Sequence, residues 1–554
     1  MSAESAHGAH DVVATIQPAI ALLGLGLVAA LTAKALRLSP IVGYLALGAL
    51  LAAFGQADNF SSPVVAAMAE AGVMFLLFNL GMHFSLTRIR EEARNIFGFG
   101  SLQMAVAGGG FCLAGFALGL PPAAAIIGGF AMGLSSTAVV IGLIRERDQQ
   151  DCPVGRAAQS ILIFQDIAAI MLLVAAGALG TGGAMGPALA IAGVKAVAAF
   201  FVAVLFGRYL TEPLFGLIAR ARSSEVYTAT ALFLALAAGW ATGIAGLSLT
   251  LGAFLGGVAI ADSRHRVMVQ TEIEAFRGLF LGFFFISVGL GIDPAILADK
   301  WPTIILTAIV LIVVKCALNI AAGLANQWSA PGSIQLGFLL GQGSEFALVL
   351  FSIPALAGLM GEELSAILVT AIAVSLAVTP AISNFGRTLA GKLRRGPADQ
   401  KLSHEDDAPI VILGLGSTGR ALADELQLAS IKYVAVEADS RLFENAVADG
   451  YHVHHAMTDD PRTWDVLSMG QRQVVVVTGA KMSRVDELAP LAEERLPQVK
   501  RIITVDDQKH APKIKQDGAI PVHVGGQDGT EALLDMVFEQ LGRSRPAVTP
   551  RKAA

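Results

Sequence analysis

Apolar runs long enough to cross a bilayer alternate with short polar breaks from residue 16 to about residue 386. They fall near 16–36, 40–56, 63–83, 96–119, 122–145, 156–178, 186–212, 224–243, 247–262, 274–292, 301–325, 334–358 and 363–386. That makes about thirteen spans of roughly 20 residues each. Beyond residue 390 the period shortens and charge rises. Apolar strands at IVILG, YVAVE, QVVVVTG, KRIITVD and AIPVHV are separated by amphipathic helical stretches. The pattern predicts a membrane part over 1–390, a linker over 391–408, a soluble α/β domain over 409–541 and a disordered basic tail over 542–554.

Composition agrees with the pattern. Of 554 residues, 54% are hydrophobic and 15% charged, against about 25% charged in a soluble domain. The basic residues also alternate between the breaks. One set holds Lys34 and Arg37, then Arg88, Arg90 and Arg94, Arg145, Arg147 and Arg156, Arg208, Arg220 and Arg222, Arg264, Arg266 and Arg277, and Arg387, Lys392, Arg394 and Arg395; the other set is almost bare, Lys300 being the exception. By the positive-inside rule the N-terminus is outside, the α/β domain is cytoplasmic and the span count is odd. The net charge of -5 gives no basis for a nucleic acid partner. Cys112, Cys152 and Cys316 are too scattered for a disulfide framework or a metal site. No basic n-region opens the chain, so no removable signal peptide is expected.

Several polar residues interrupt the apolar runs. Gln165 and Asp166 lie mid-span in SILIFQDIAAIMLLV, Lys315 mid-span in TIILTAIVLIVVKCALNIAAGLA. A charge at mid-bilayer costs about 2.5–3.5 kcal/mol on the gentlest scale, so such residues face a cavity or a partner. GFAMGLSSTAVVIGL, with Ser135, Ser136 and Thr137, and GFLLGQGSEFALVLF, with Glu345, are both glycine- and serine-interrupted. Each is second from the end of its half of the chain, the pattern of an inverted-repeat transporter with two crossed, broken helices. Half-helix ends carry partial charge that Asp166, Lys315 and Glu345 are placed to balance.

These stretches, with RLSPIVGYLALGALL, FNLGMHFSL, LTLGAFLGGVAIADS and EIEAFRGLFLGFFFISVGLGID, resemble the monovalent cation:proton antiporter-2 family, most closely its Kef-type potassium/proton antiporters. The resemblance implies two inverted helix sets, with Asp166 as the essential acid and Lys315 as the membrane lysine. Electrogenic sodium/proton relatives usually carry two acids where this chain has Gln165-Asp166. One acid implies one-for-one exchange, with proton and potassium competing for Asp166 and Gln165 helping to coordinate the cation. Lys315 either neutralises the crossed helices or pairs with Asp166.

In the α/β domain, APIVILGLGSTGRALADELQ places Gly414, Gly416, Ser417, Thr418 and Gly419 between a strand and a helix. Glu437 ends the next strand and Asp439 follows. Strand, glycine loop, helix, strand and acid form a Rossmann fingerprint, with phosphates at the helix N-terminus and Glu437 on ribose hydroxyls. The domain resembles the regulator of potassium conductance (RCK) domains of Kef-type proteins, with Asp460 near the family's Gly-Asp-Ala. This implies AMP or NAD(H) as ligand and a homodimer in a bacterial inner membrane; an ancillary subunit is left open. Glutathione-gated members carry arginines where this chain has Ser417 and Val505-Asp506, so glutathione control is not expected. The competing readings are a sodium/proton antiporter of the same fold, an RCK-gated potassium channel, for which no TVGYG-like filter appears, and a dehydrogenase, for which no catalytic domain accompanies the nucleotide fold.

Overall fold

The computed structural model describes residues 3–36, 38–60, 62–84, 89–90, 93–147, 149–150, 152–179, scattered positions between 194 and 215, 224–244, 248–394, 408–478, 482–505, 507–524 and 527–543. They fall into two compact units: residues 1–139, 160–319 and 340–380, and residues 140–159, 320–339 and 381–554. The division cuts across long helices rather than following the expected boundary at 390.

The principal membrane helices are α1 (Ala3–Ala35), α2 (Pro40–Ala53), α3 (Pro63–Met82), α4 (Ser101–Ala117, entered by a π turn from Ile96), α5 (Pro122–Gly133), α6 (Thr137–Glu146), α7 (Pro153–Leu179), α8 (Ser224–Ile244), α9 (Leu249–Ala261), α10 (Arg266–Leu290), α11 (Trp301–Ala325), α12 (Ala330–Leu339), α13 (Glu345–Phe351) and α14 (Glu362–Arg394). Twelve of the thirteen apolar runs are thus helical; the run at 186–212 lies mostly outside the described residues. Among the described residues, nine helices are long and apolar enough to cross a membrane, while α2 and α9 are shorter apolar helices. Helix α14 continues to Arg394, so the expected linker begins inside a helix; residues 395–407 and the tail from 544 lie outside the described residues.

Proline and serine mark many helix starts. Pro40, Pro63 and Pro122 occupy first-turn positions where no N–H is needed, and Ser62 and Ser248 cap α3 and α9. Within the first unit α3 packs on α9 and α10 through small residues. A methyl at Gly81 would lie 2.1 Å from the Phe254 carbonyl, and one at Gly257 2.0 Å from the Phe78 carbonyl. In lipid, where apolar surface gains little by leaving its surroundings, such backbone approach is a main source of helix cohesion.

The two predicted interruptions are real. Helix α5 stops at Gly133, and residues 134–136 are non-helical before α6 begins at Thr137. Helix α12 stops at Leu339, and no helix resumes until Glu345. Leu134 and Ser344 both have extended backbone.

The second unit contains a six-stranded parallel sheet, ordered β3-β2-β1-β4-β5-β6. The strands are β1 (Ile410–Leu413), β2 (Tyr433–Glu437), β3 (Val453–His455), β4 (Val474–Val477), β5 (Lys500–Val505) and β6 (Ile520–His523). Helices α15 (Ser417–Leu428), α16 (Ser440–Ala448), α17 (Pro461–Val466), α18 (Met482–Arg495), α19 (Ala511–Gln516) and α20 (Gln527–Gln540) connect and cover them. β1 and β4 are Val/Ile/Leu-rich and fully or nearly fully buried, as parallel strands between two helix layers must be. The order reverses between β1 and β4, the switch point where such sheets bind ligands.

Candidate functional site

The first unit holds the unwound crossing. Ser135 and Leu340 meet there: the Ser135 hydroxyl donates to the Leu340 carbonyl at 2.8 Å. Lys315, fully buried in α11, donates its ammonium to the carbonyls of Leu134 and, at 2.7 Å, Gln342. Those carbonyls lie where two helices stop and no i+4 amide follows. Lys315 thus hydrogen-bonds carbonyls of both broken segments.

Asp166 is 5% exposed and accepts the Thr137 hydroxyl at 3.1 Å. Glu345, the first residue of α13, accepts the Ala138 amide at 3.5 Å. Two adjacent residues at the start of α6 thus meet two carboxyl groups, on the positive end of a helix ten residues long. The Ser136 hydroxyl accepts the Val139 amide at 3.3 Å and so caps the same helix.

Gln165 is occupied differently from the expectation that it would offer its carbonyl to a cation. Its Oε1 accepts the Ser135 amide at 2.8 Å, and its Nε2 donates to Gln103 Oε1 at 2.9 Å. Gln103 in turn donates to Asn319 Oδ1 at 2.8 Å, and Asn319 donates to the Leu340 carbonyl at 3.1 Å. With Ser135 this closes a buried ring of amides that pins one interrupted segment to the other. Sequence reading missed Gln103 and Asn319. Asn319 was findable, because it lies four residues after Lys315 and shares its helix face. Gln103 is a lone amide in SLQMAVAGGG, with no spacing to mark it.

A cavity of about 1100 Å³ opens in the same unit, lined by residues from 60–73, 284–296 and 351–369. Glu70, Asp293 and Glu362 line it, together with apolar side chains such as Val73 and Phe351.

In the second unit the glycine loop has the expected geometry. Gly414 has φ +97°, and a methyl there would sit 2.3 Å from the Thr478 carbonyl. A methyl at Gly419 would be 2.2 Å from the Gly414 carbonyl, which explains the third glycine; nothing lies within 4 Å of a methyl at Gly416. Gly416 caps α15, so the first-turn amides of Ser417 and Thr418 open a twelve-residue helix beside that space. These residues fit a nucleotide's phosphates by backbone amides and room.

The acids around the loop have other work than was expected. Glu437 is buried and accepts the Leu415 amide at 2.6 Å and the Asp439 amide at 2.9 Å, bonds that shape the loop. Asp439 caps α16 by accepting the amides of Arg441 and Leu442. Asp460 caps α17 and pairs with Arg462 at 2.6 Å, a contact that holds its carboxyl below the usual carboxylate range.

Residues 20–384 match the family described as sodium/hydrogen exchanger, transmembrane, and residues 410–524 match the TrkA-N domain. The chain is 34% identical over 420 residues to K(+) efflux antiporter 1, chloroplastic, of Arabidopsis thaliana, covering 73% of this chain and 35% of the plant protein. It is 32% identical over 515 residues to the glutathione-regulated potassium-efflux system protein KefC of Enterobacter sp. (strain 638), covering 90% of this chain and 81% of that protein. The chain thus spans about a third of the plant relative and most of the bacterial one. The solved sodium proton antiporter MjNhaP1 from Methanocaldococcus jannaschii matches with TM-score 0.50 and 16% identity over 69% of this chain and 99% of that one, a likeness of fold alone. The chain belongs to the sodium/hydrogen exchanger family and carries a TrkA-N domain behind its membrane part.

Proposed function

We propose that this protein exchanges potassium for protons across a membrane, with Asp166 as the shared site, under control of an adenine nucleotide at the glycine loop. The observation that carries the reading is the placement of Asp166: one hydroxyl partner, at the junction of two unwound segments whose carbonyls are already neutralised by Lys315. A carboxylate so lightly compensated has free lone pairs for either a proton or a dehydrated cation, and the two cannot occupy it together. Binding one displaces the other, which couples the flows with no covalent chemistry. The cation is held by Asp166 and the Thr137 hydroxyl, while the Gln165 ring fixes the frame.

Potassium is favoured over sodium by the bacterial and plant relatives, whose names specify potassium efflux. Exchange is one-for-one, with Asp166 carrying the exchangeable charge while Glu345, at the start of α13, accepts the Ala138 amide. Regulation is by AMP or NAD(H) rather than glutathione: Ser417 stands in the glycine loop, and the nearby Arg420 is buried against Leu415 and Asp449. The protein acts as a homodimer in a bacterial inner membrane, with the TrkA-N domain cytoplasmic.

The test is exchange in proteoliposomes read with a pH-sensitive dye, comparing potassium, sodium and rubidium with and without AMP or NADH. Potassium-driven proton movement that builds no membrane potential is expected. Full activity in Asp166→Asn would falsify the assignment of the site, and sodium-only exchange would replace potassium as the substrate.

A further inference from the structure

The second unit contains a buried carboxylate that neither the ion site nor the nucleotide loop includes. Asp449, at the end of α16, has a side chain only 2% exposed. Its Oδ1 accepts Arg387 Nε at 2.6 Å, Gln149 Nε2 at 3.0 Å and Gln335 Nε2 at 3.3 Å. Its Oδ2 accepts Arg420 Nη1 at 2.9 Å and Gln149 Nε2 at 2.9 Å. A carboxylate offers about four lone-pair sites, two on each oxygen, and five contacts from four parts of the chain crowd onto this one, three of them on Oδ1. Each bond weakens if another tightens.

The four donors are not arbitrary surface residues. Arg420, in the first turns of α15, is tied to the glycine loop: its Nε donates to the Leu415 carbonyl at 3.1 Å. Gln149 follows α6, whose other end carries Thr137 against Asp166. Gln335 lies in α12, which runs into the unwound segment whose Gln342 carbonyl binds Lys315. Arg387 lies in α14 and also donates to the Asn445 carbonyl at 3.0 Å. Beside it the backbones touch: a methyl on Gly450 would fall 2.4 Å from the Gly391 Cα. Helices of about ten residues are rods roughly 15 Å long, so a shift at the Asp449 end of α6 or α12 reaches the crossing.

We propose that Asp449 is a positioning residue for the exchange reaction, the junction through which the glycine loop sets the far ends of both interrupted helices. It rests on the antiport reading for its consequence, though not for its geometry. A nucleotide phosphate settling beside Gly416 moves Leu415 and Arg420; Arg420 then takes more or less of Asp449, and Gln149 and Gln335 take the remainder. A merely structural role predicts lower stability with unchanged kinetics per folded molecule.

The experiment uses the full chain reconstituted in proteoliposomes, as wild type, Asp449→Asn and Gln149→Leu. Exchange rate is measured against potassium concentration with and without NADH or AMP, and N-ethylmaleimide labelling of Cys152 is followed by peptide mass spectrometry. Cys152 is buried three residues from Gln149, with its thiol against the Gln149 carbonyl, so it reports opening of the junction without requiring transport. In Asp449→Asn the maximal rate changes about fivefold or more while half-saturating potassium stays within about twofold, and the rate no longer responds to NADH or AMP. Cys152 labelling rises about tenfold. Gln149→Leu, which removes one neutral link and leaves the Arg420 pair intact, gives smaller changes in the same direction and decides the matter if Asp449→Asn does not fold. Rates and labelling at wild-type values in either folded variant overturn the proposal, as does a shift in half-saturating potassium equal to the shift in rate. Wild-type vesicles that exchange no potassium overturn the antiport reading instead, and the labelling still judges the junction.

Discussion

Asp166 in the first unit and Asp449 in the second are both buried carboxylates, one mid-helix and one at a helix end, yet they are compensated in opposite ways. Asp449 receives two guanidinium groups and two side-chain amides; Asp166 accepts the hydroxyl of Thr137. A buried charge matched by several donors keeps its ionisation, because losing its partners would expose the full desolvation cost, and only the share each donor takes can change. One that is sparsely matched is poised to change partners or protonation, which is what a transport site requires. Burial alone therefore does not distinguish an acid that links parts of the chain from one that exchanges ions; the donor set does.

Four experiments break or sharpen that contrast. The largest effect is expected for Asp166→Asn, which keeps the shape and the Thr137 contact but removes the exchangeable charge; exchange falls to background while the melting temperature in detergent stays within a few degrees. Next, Lys315→Met leaves the Leu134 and Gln342 carbonyls unpaired in an apolar interior, at about 1–3 kcal/mol each, seen as a large loss of thermal stability. Gln103→Leu opens the amide ring by removing its bonds to Gln165 and Asn319. It costs about 1–3 kcal/mol and weakens apparent potassium affinity less than tenfold, measured as the half-saturating concentration in the dye assay. A result as severe as Asp166→Asn would mean the ring handles the ion directly.

The smallest effect concerns Cys152, whose thiol burial pushes up to about 11. Burial disfavours the thiolate, so the reactive form is scarce at neutral pH and increases as pH rises. Maleimide labelling then climbs about tenfold per pH unit until the thiol titrates. A plateau near pH 8.5, the ordinary thiol value, would show that the junction opens in solution.

The crossing was legible in GLSST and GQGSEF because glycine and serine inside an apolar run weaken a helix at that point, and Asp166 and Lys315 because charge in lipid is costly wherever it occurs. The glycine loop was legible because φ at Gly414 and close packing at Gly419 admit no side chain. Less could be read about what each acid touches. Glu437 looked like a ribose ligand from its position after β2, but folding brings the Leu415 amide to it first. Gln165 looked like a cation ligand beside Asp166, yet neighbours on a helix point about 100° apart, and its amide faces Ser135 and Gln103. Asp449, in the unremarkable stretch AVADG, gave no signal at all.

The sequence by itself determined where the chain spans the membrane, where two helices break and where a nucleotide fold begins, because these follow from local hydrophobicity, backbone freedom and charge. Only the tertiary structure decided which buried groups satisfy one another: Lys315 with two carbonyls, Gln165 with Gln103, and Asp449 with donors from 149, 335, 387 and 420. Hydrogen bonds need approach within about 3 Å, and no local property of a chain records which distant residues will meet at that range.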